Sequence, residues 1–382
     1  MPQSNQQGHR RILNKHFEGL KNHLSQQQSR IRANGRLRVS FGIENAFTTP
    51  DEQYANQFVK QARKLTSLKA EEWVELAETL RSIAHSLISI SAKSERGLHL
   101  ASLIQSTSLR AILITLLKVQ LDTIPDVESH IVLLANRIND VWQTSKTETN
   151  LVDFARNDEL QAPLSAIFPE YDITDPRKNP LCWILPGFET AWRINLRMLL
   201  ELQFNAGNDR PKWRETMIAF MRKPTKAQFE DRQTSEVSAK DLVAEALRLY
   251  PPTKRIYRAF EWEEDGDTKL DTFAADVEEC HLSNEIWGLD ALRYNPLRWK
   301  TLTDAQKEAY LPFGGAPYEC PAKAVFGPRM IGLVVGATLE AMQRKGSWRS
   351  SGMDMFRGER LMNDRASYEE MYLRLVTATT HS

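Results

Sequence analysis

Residues 180–204 are apolar on nearly every side. They read Pro180-Leu181-Cys182-Trp183-Ile184-Leu185-Pro186-Gly187-Phe188-Glu189-Thr190-Ala191-Trp192, and then continue through Ile194, Leu196, Met198, Leu199 and Leu200. A helix without a polar face has to be covered all round, so it lies in the middle of a protein. The rest of the chain must therefore supply layers that pack against it. With 382 residues, 41% hydrophobic and 26% charged, it has the material for one large core or two modest ones. Pro186-Gly187 is expected to interrupt this helix, because proline offers no N–H to the Cys182 carbonyl, a loss of about 3 kcal/mol or more in a helix interior. A local kink and a free carbonyl follow. Beside them, Glu189-Thr190 sets an acid next to a hydroxyl, which on local sequence serves equally as a helix-start junction or a functional pair.

Apolar residues recur at helical spacing over 9–33, 52–65, 69–94, 96–122 and 126–145, and strand-like alternation is nearly absent, so this half is expected to be helical core. A polar segment over 205–238 leads to a helix holding Glu245-Ala246-Leu247-Arg248-Leu249-Tyr250 and stopped by Pro251-Pro252. Glu245 and Arg248 share a face, three residues apart. Set among Leu242, Val243, Leu247 and Leu249, the pair reads as buried, and a buried pair needs a further partner. After Arg258, short mixed segments with Gly266 and Gly288 suggest a small sheet and turns. An apolar helix over 322–344, bent at Gly327-Pro328, and a polar tail with a possible hairpin close the chain.

Three cysteines in so long a chain exclude a disulfide scaffold, and their spacing excludes a zinc ribbon. The eight histidines form no HExxH, and neither GxGxxG nor a P-loop occurs. Net charge is +1. The basic start (Arg10, Arg11, Lys15, Arg30, Arg36) lacks interleaved aromatic platforms, so no nucleic-acid partner is expected. No window reaches the length of a membrane span. The expected location is cytoplasmic, or peripheral to the endoplasmic reticulum with no anchor in this sequence.

One loop carries the chemistry: Phe313-Gly314-Gly315-Ala316-Pro317-Tyr318-Glu319-Cys320-Pro321-Ala322. Pro321 suits the first position of the following helix, which puts Cys320 at or beside its N-cap. There the helix dipole and free N–H groups favour an anionic sulfur with a depressed pKa. Such a thiolate can be a nucleophile, a metal ligand or a haem axial ligand, and the loop alone does not choose.

Taken in order, these motifs resemble the haem-thiolate monooxygenases, the cytochrome P450 family, particularly members from fungal secondary metabolism. Gly187-Phe188-Glu189-Thr190 is similar to the family's Gly-x-Glu-Thr, with Pro186 where alanine is common. Glu245-Ala246-Leu247-Arg248 resembles its Glu-x-x-Arg, and Tyr294-Asn295-Pro296-Leu297-Arg298-Trp299 the segment whose arginine completes a Glu-Arg-Arg triad. Cys320 falls at the haem-ligand position. His9-Arg10-Arg11-Ile12 resembles the helix whose Trp-x-x-x-Arg touches a haem propionate, with Arg10 as the arginine and Gln6 in place of the tryptophan. Departures are Ala316 and Ala322 for two glycines, and Tyr318 for a propionate-binding arginine, whose charge Arg10, Arg258 or Lys254 is expected to supply.

The resemblance implies a mainly α fold with a small β region, in a single domain over 1–382. Its core is 6–350, with 351–382 as tail, and the usual N-terminal helices and strands are lacking. It implies haem b (iron protoporphyrin IX) held by Cys320, shielded by Phe313 and contacted by Arg10 and Arg258. Glu189 and Thr190 would relay protons beside a kink with room for dioxygen. The expected activity is O2-dependent hydroxylation of a small apolar organic substrate, with electrons from an NADPH-dependent reductase docking near Arg10, Arg11 and Lys15. A truncated, catalytically silent homologue acting as an interaction protein, and a haem-thiolate isomerase or dehydratase needing no reductase, are the alternatives.

Overall fold

The apolar stretch forms one continuous helix, Leu181–Leu200, followed by a π-helical turn, Glu201–Asn205. The computed structural model describes residues 16–17, 20–147, 151–205, 207, 209–233, 236–350, 356 and 358–376. Pro186 does not interrupt the helix. The carbonyl it frees, that of Cys182, accepts a hydrogen bond from Asn45 Nδ2 at 3.2 Å. A side chain from elsewhere thus repairs the backbone, and the helix runs on. Nor does Gly187 open a space: a Cβ there would stand 2.8 Å from Ile112 Cδ1, so the glycine lets the helix Leu100–Leu116 pack close.

Around this axis the helices Leu100–Leu116, Ala239–Leu249 and Phe326–Lys345 form the nearest layer, with Ala70–Ser91 and Arg210–Arg222 beyond. One large hydrophobic core runs through them, from Leu37 to Leu373. The helices Glu52–Leu65, Ala70–Ser91 and Val127–Thr147 lie where apolar spacing predicts them. The expected helix over 9–33 is different in its described part. His16–Phe17 pairs with Leu20–Lys21 as short antiparallel strands, and the helix spans Gln26–Phe41. Ser25 and Gln28 form a capping box that fixes its start. The helix over 96–122 shortens to Leu100–Leu116, because Leu98–His99 pairs with Tyr372–Leu373 in a three-stranded sheet completed by Trp348–Ser350. The tail strand Tyr372–Leu375 thus pairs antiparallel with both Leu98–His99 and Trp348–Ser350.

Two elements of the polar segment are helical after all, Arg210–Arg222 and Lys226–Glu230. The first buries Trp213, Met217, Phe220 and Met221 on one stripe. Asp158–Ile167 is a further helix, capped by the Asn157 side chain. The mixed segment after Arg258 belongs to a long hairpin, Arg255–Glu264 paired with Asp267–Asp276. Its turn uses positive φ at Asp265 (53°) and Gly266 (83°), the backbone a two-residue hairpin requires.

Glu340, 1% exposed on Phe326–Lys345, is bound by Arg81 Nε at 2.5 Å and Arg222 Nε at 2.8 Å. Burial raises its pKa, but the hydrogen bonds and charges of Arg81, Arg222 and Arg344 outweigh that and bring it down to about 2. A carboxyl depressed in the folded state stabilises above its unfolded pKa, and the contribution is lost as pH falls from about 4.5 towards 2. Glu340→Gln is therefore expected to cost about 2–3 kcal/mol at pH 7, after discounting for the exposed arginines. The difference from wild type should shrink towards pH 3, as read by urea unfolding.

Candidate functional site

The helix Ala239–Leu249 presents Glu245 and Arg248, each fully buried. Arg248 donates Nη2 to Glu245 Oε1 at 2.8 Å and Nε to Oε2 at 3.0 Å. Arg298 Nε reaches Oε1 at 3.1 Å, and Trp299 Nε1 and the Asn295 N–H each bond the same carboxylate at 3.0 Å. The further partner that burial demanded is thus present, and the carboxylate accepts from every side. Arg248 also donates to the carbonyls of His281 and Ala291 at 2.7 and 2.8 Å, tying in the segments that lead to the cysteine loop. His281, fully buried, takes the Leu311 N–H on Nε2 at 2.8 Å, with Nδ1 3.1 Å from the Arg248 carbonyl. Burial, then the charge of Arg248, lowers its pKa to about 3, so it stays neutral and pins the start of the loop. No sequence motif singled this histidine out.

Cys320 does not cap the helix. Phe326–Lys345 begins with Val325 as N-cap, and residues 321–325 are turn. Pro328 explains this: in a helix begun at 322 it would sit in the interior without an N–H, whereas here it lies in the first turn, where none is needed. The expected bend at Gly327-Pro328 is the helix start. Removed from the helix dipole, the thiol is not depressed. Cys320 is exposed, yet desolvation by the surrounding protein, with the nearby Glu319 charge, raises its pKa. The Ala322 N–H and the Arg30 charge oppose that rise and favour the anion. The Phe313 carbonyl accepts the Cys320 N–H at 3.0 Å, and a Cβ at Gly327 would meet the Phe313 ring at 2.9 Å, so loop and helix start are packed together.

Two guanidinium groups flank the Tyr318 ring, Arg30 at 4.3 Å and Arg258 at 5.4 Å. Both are buried, at 8% and 6% exposure. Arg30 donates to the Ala46 carbonyl at 2.9 Å and Arg258 to the Tyr257 carbonyl at 2.8 Å. Among the described residues neither has a carboxylate partner. Burial, then the charge of Arg258, lowers the Arg30 pKa to about 10. Buried, mutually repelling and unneutralised, the pair suits a ligand bearing two carboxylates. Arg258 was expected here from sequence. Arg30 was not; its signal was the capping box that puts it one turn into a helix. Arg10, Arg11, Lys15 and Gln6 lie outside the described residues, and Lys254 pairs instead with Glu278 at 3.5 Å. Among the described residues no group of three or more His, Cys, Asp or Glu side chains could hold a metal ion by itself.

Glu189 and Thr190 sit one after the other on the central helix but do different things. Glu189, 2% exposed, is ion-paired with Arg365 from the C-terminal segment. The Thr190 hydroxyl donates back to the Pro186 carbonyl at 3.1 Å. Ile112 packs against Gly187 beside the proline. Cys182, the other cysteine of this helix, is buried with its thiol pushed up to about 12, inert by comparison.

No family model matches the chain. It is 35% identical over 94 residues, and 30% over 119, to two cytokinin hydroxylases of Arabidopsis thaliana, matches that span 18% and 23% of those proteins' lengths. Over most of its length it is similar in structure to cytochrome P450 OleT in complex with arachidonic acid: TM-score 0.57 and 14% identity, covering 91% of this chain and 84% of that one. A cytochrome P450 from Thermus thermophilus superposes with TM-score 0.52 at 16% identity, covering 83% and 76%.

Proposed function

We propose that this chain, which has the cytochrome P450 fold, binds haem b through Cys320 and works as an O2-dependent monooxygenase on an organic substrate. The observation that carries the reading is the coincidence of an accessible thiol with two buried, unneutralised arginines. Arg30 and Arg258 would hold the two carboxylates of haem, and the Cys320 thiolate would ligate its iron. The partial likeness to two hydroxylases supports the same class of chemistry. When bound, haem supplies the iron that takes the thiolate and activates dioxygen.

The chain's own residues have four tasks. Cys320 gives up its proton, helped by the Ala322 N–H and Arg30 against burial and Glu319. Arg30 and Arg258 neutralise the propionates and are neutralised by them. Phe313 and the turn 321–325 cover the sulfur side. Thr190 holds a proton on Oγ1 that it can offer to the substrate side once it leaves the Pro186 carbonyl. Glu189 resupplies that proton only by exchanging Arg365 for a water-borne one, so the ion pair gates the relay. Electrons come from an NADPH-dependent reductase; its expected docking residues Arg10, Arg11 and Lys15 lie outside the described residues. A role in secondary-metabolite synthesis rests on the sequence resemblance.

Absorbance titration of the full chain with haem tests the reading. One equivalent bound is the expected result; no binding would sink it and leave the silent-homologue alternative.

A further inference from the structure

Glu189, Arg193, Arg197, Glu201 and Asn205 recur every fourth residue along the central helix and its terminal turn, and all are buried. They form one polar stripe on an otherwise apolar helix. Residues 359–368 lie along that stripe in the opposite direction. At one end Asn205 Nδ2 donates to the Glu359 carbonyl at 2.7 Å. Next, Glu201 accepts the Tyr250 hydroxyl, whose oxygen takes the Leu361 N–H at 2.9 Å. Arg197 donates to the Met362 and Asp364 carbonyls, and Glu189 at the far end pairs with Arg365. Apolar contact adds little: of residues 359–367 Leu361 alone buries an apolar side chain, and Met362 is 63% exposed. The segment is a strap held by the polar stripe and hinged on the sheet strand Tyr372–Leu375.

The stripe carries a second set of partners that it does not use. Glu189 with Arg193, and Arg197 with Glu201, are opposite charges four residues apart, neighbours on a helix face. The Glu201 N–H bonds the Arg197 carbonyl, so the helical spacing extends to Glu201. Neither pair is joined. Arg193 donates to the Pro252 carbonyl at 2.7 Å and faces the charges of Glu278 and Asp364, while Glu201 takes neutral donors, Tyr250 and Asn205. We propose that the strap leaves the central helix as a unit and that these two ion pairs then replace its bonds, a two-state cover built into the fold. Opening draws Arg365 off Glu189; the use of that freed carboxylate for proton transfer is the one part that rests on the monooxygenase reading. pH biases the switch. Burial, opposed by the Tyr250 and Asn205 hydrogen bonds and aided by the Glu245 charge, raises the Glu201 pKa from 4.5 to about 8. Around it Tyr250, Tyr294 and Tyr368 are raised by burial and stay protonated, and Arg197, lowered to about 10, stays charged. Glu245 is ion-paired with Arg248, and Arg210 and Arg214 bond the Phe204 and Leu202 carbonyls of the same turn. A carboxyl raised in the closed state favours closure below its open value and loses that contribution as pH rises to about 8. Opening therefore releases a proton.

Hydrogen exchange of the full chain without haem, expressed as protection factors at pH 6 and pH 8, tests this, so no outcome depends on the monooxygenase reading. The Leu361 and Met362 amides, bonded to the Tyr250 and Tyr368 hydroxyls, are expected to be about tenfold or more less protected at pH 8 than the amides of Trp192–Leu200. Their protection should fall about tenfold or more from pH 6 to pH 8, since the linkage slope is up to about tenfold per pH unit between the open and closed values. Glu201→Gln, the neutral isostere of the protonated acid, should make strap protection independent of pH and higher than wild type at pH 8. Strap amides as protected as those of the helix would show that the strap leaves only when the whole fold does, and would overturn the proposal. A fall in protection that survives in Glu201→Gln would overturn it too.

Discussion

Glu245→Ala is expected to cost about 3–5 kcal/mol of stability, the usual consequence of removing one partner of a buried ion pair. Arg248 is 0% exposed, and Arg298 only 7% by side chain. Without the carboxylate, two guanidinium groups, the Trp299 indole and the Asn295 N–H all lose an acceptor at once. Arg248 would keep the carbonyls of His281 and Ala291, which do not neutralise it. Against a total stability of about 5–15 kcal/mol, such a loss is a large share. Glu245→Gln keeps one acceptor oxygen and the shape, and should cost less. Urea unfolding followed by circular dichroism separates the two; a cost under about 1 kcal/mol for alanine would show that the triad does not anchor the loop-bearing segments.

Arg30→Met and Arg258→Met are expected to act in the opposite sense on stability and on haem. Each removes a buried charge that no carboxylate among the described residues neutralises, so the haem-free chain should be unchanged or more stable. The Ala46 carbonyl keeps Gln27 Nε2 at 3.3 Å when Arg30 is gone, so no acceptor is orphaned. Haem affinity, in contrast, should fall about tenfold or more for each arginine, the worth of one charge-assisted hydrogen bond to a carboxylate, and further in the double variant. Competition titration for haem reads the affinity and urea unfolding the stability. Variants that lose stability but keep haem would show that the pair serves the fold rather than a dicarboxylate ligand.

The chemistry of the chain was more legible than its geometry. Glu245 and Arg248 could be joined on paper because an i,i+3 ion pair set among leucines has to find a partner; that the partner is Arg298 came from the family resemblance of Tyr294-Asn295-Pro296-Leu297-Arg298-Trp299, and the structure brings the three together. The all-round apolar stretch did become the central helix. What spacing could not convey was tertiary repair: Asn45 satisfies the carbonyl freed by Pro186, so a residue that breaks isolated helices is carried through. Cys320 misled for a related reason. Two prolines, Pro321 and Pro328, competed for the helix start; the second prevailed, and the thiol lost its dipole. Arg30 went unnoticed because a basic segment reads as a solvated face, whereas the Ser25–Gln28 capping box turns it inward beneath the hairpin. Arg365, which occupies Glu189, came from a tail with no periodicity to place it.

The measurement that bears most directly on the account is the reduced, carbon monoxide difference spectrum of the full chain loaded with haem, beside Cys320→Ala prepared in the same way. A thiolate-type band in the wild type that vanishes in the variant, while haem still binds through Arg30 and Arg258, is the predicted result. A spectrum identical in the two proteins would contradict Cys320 as the ligand and with it the proposed function.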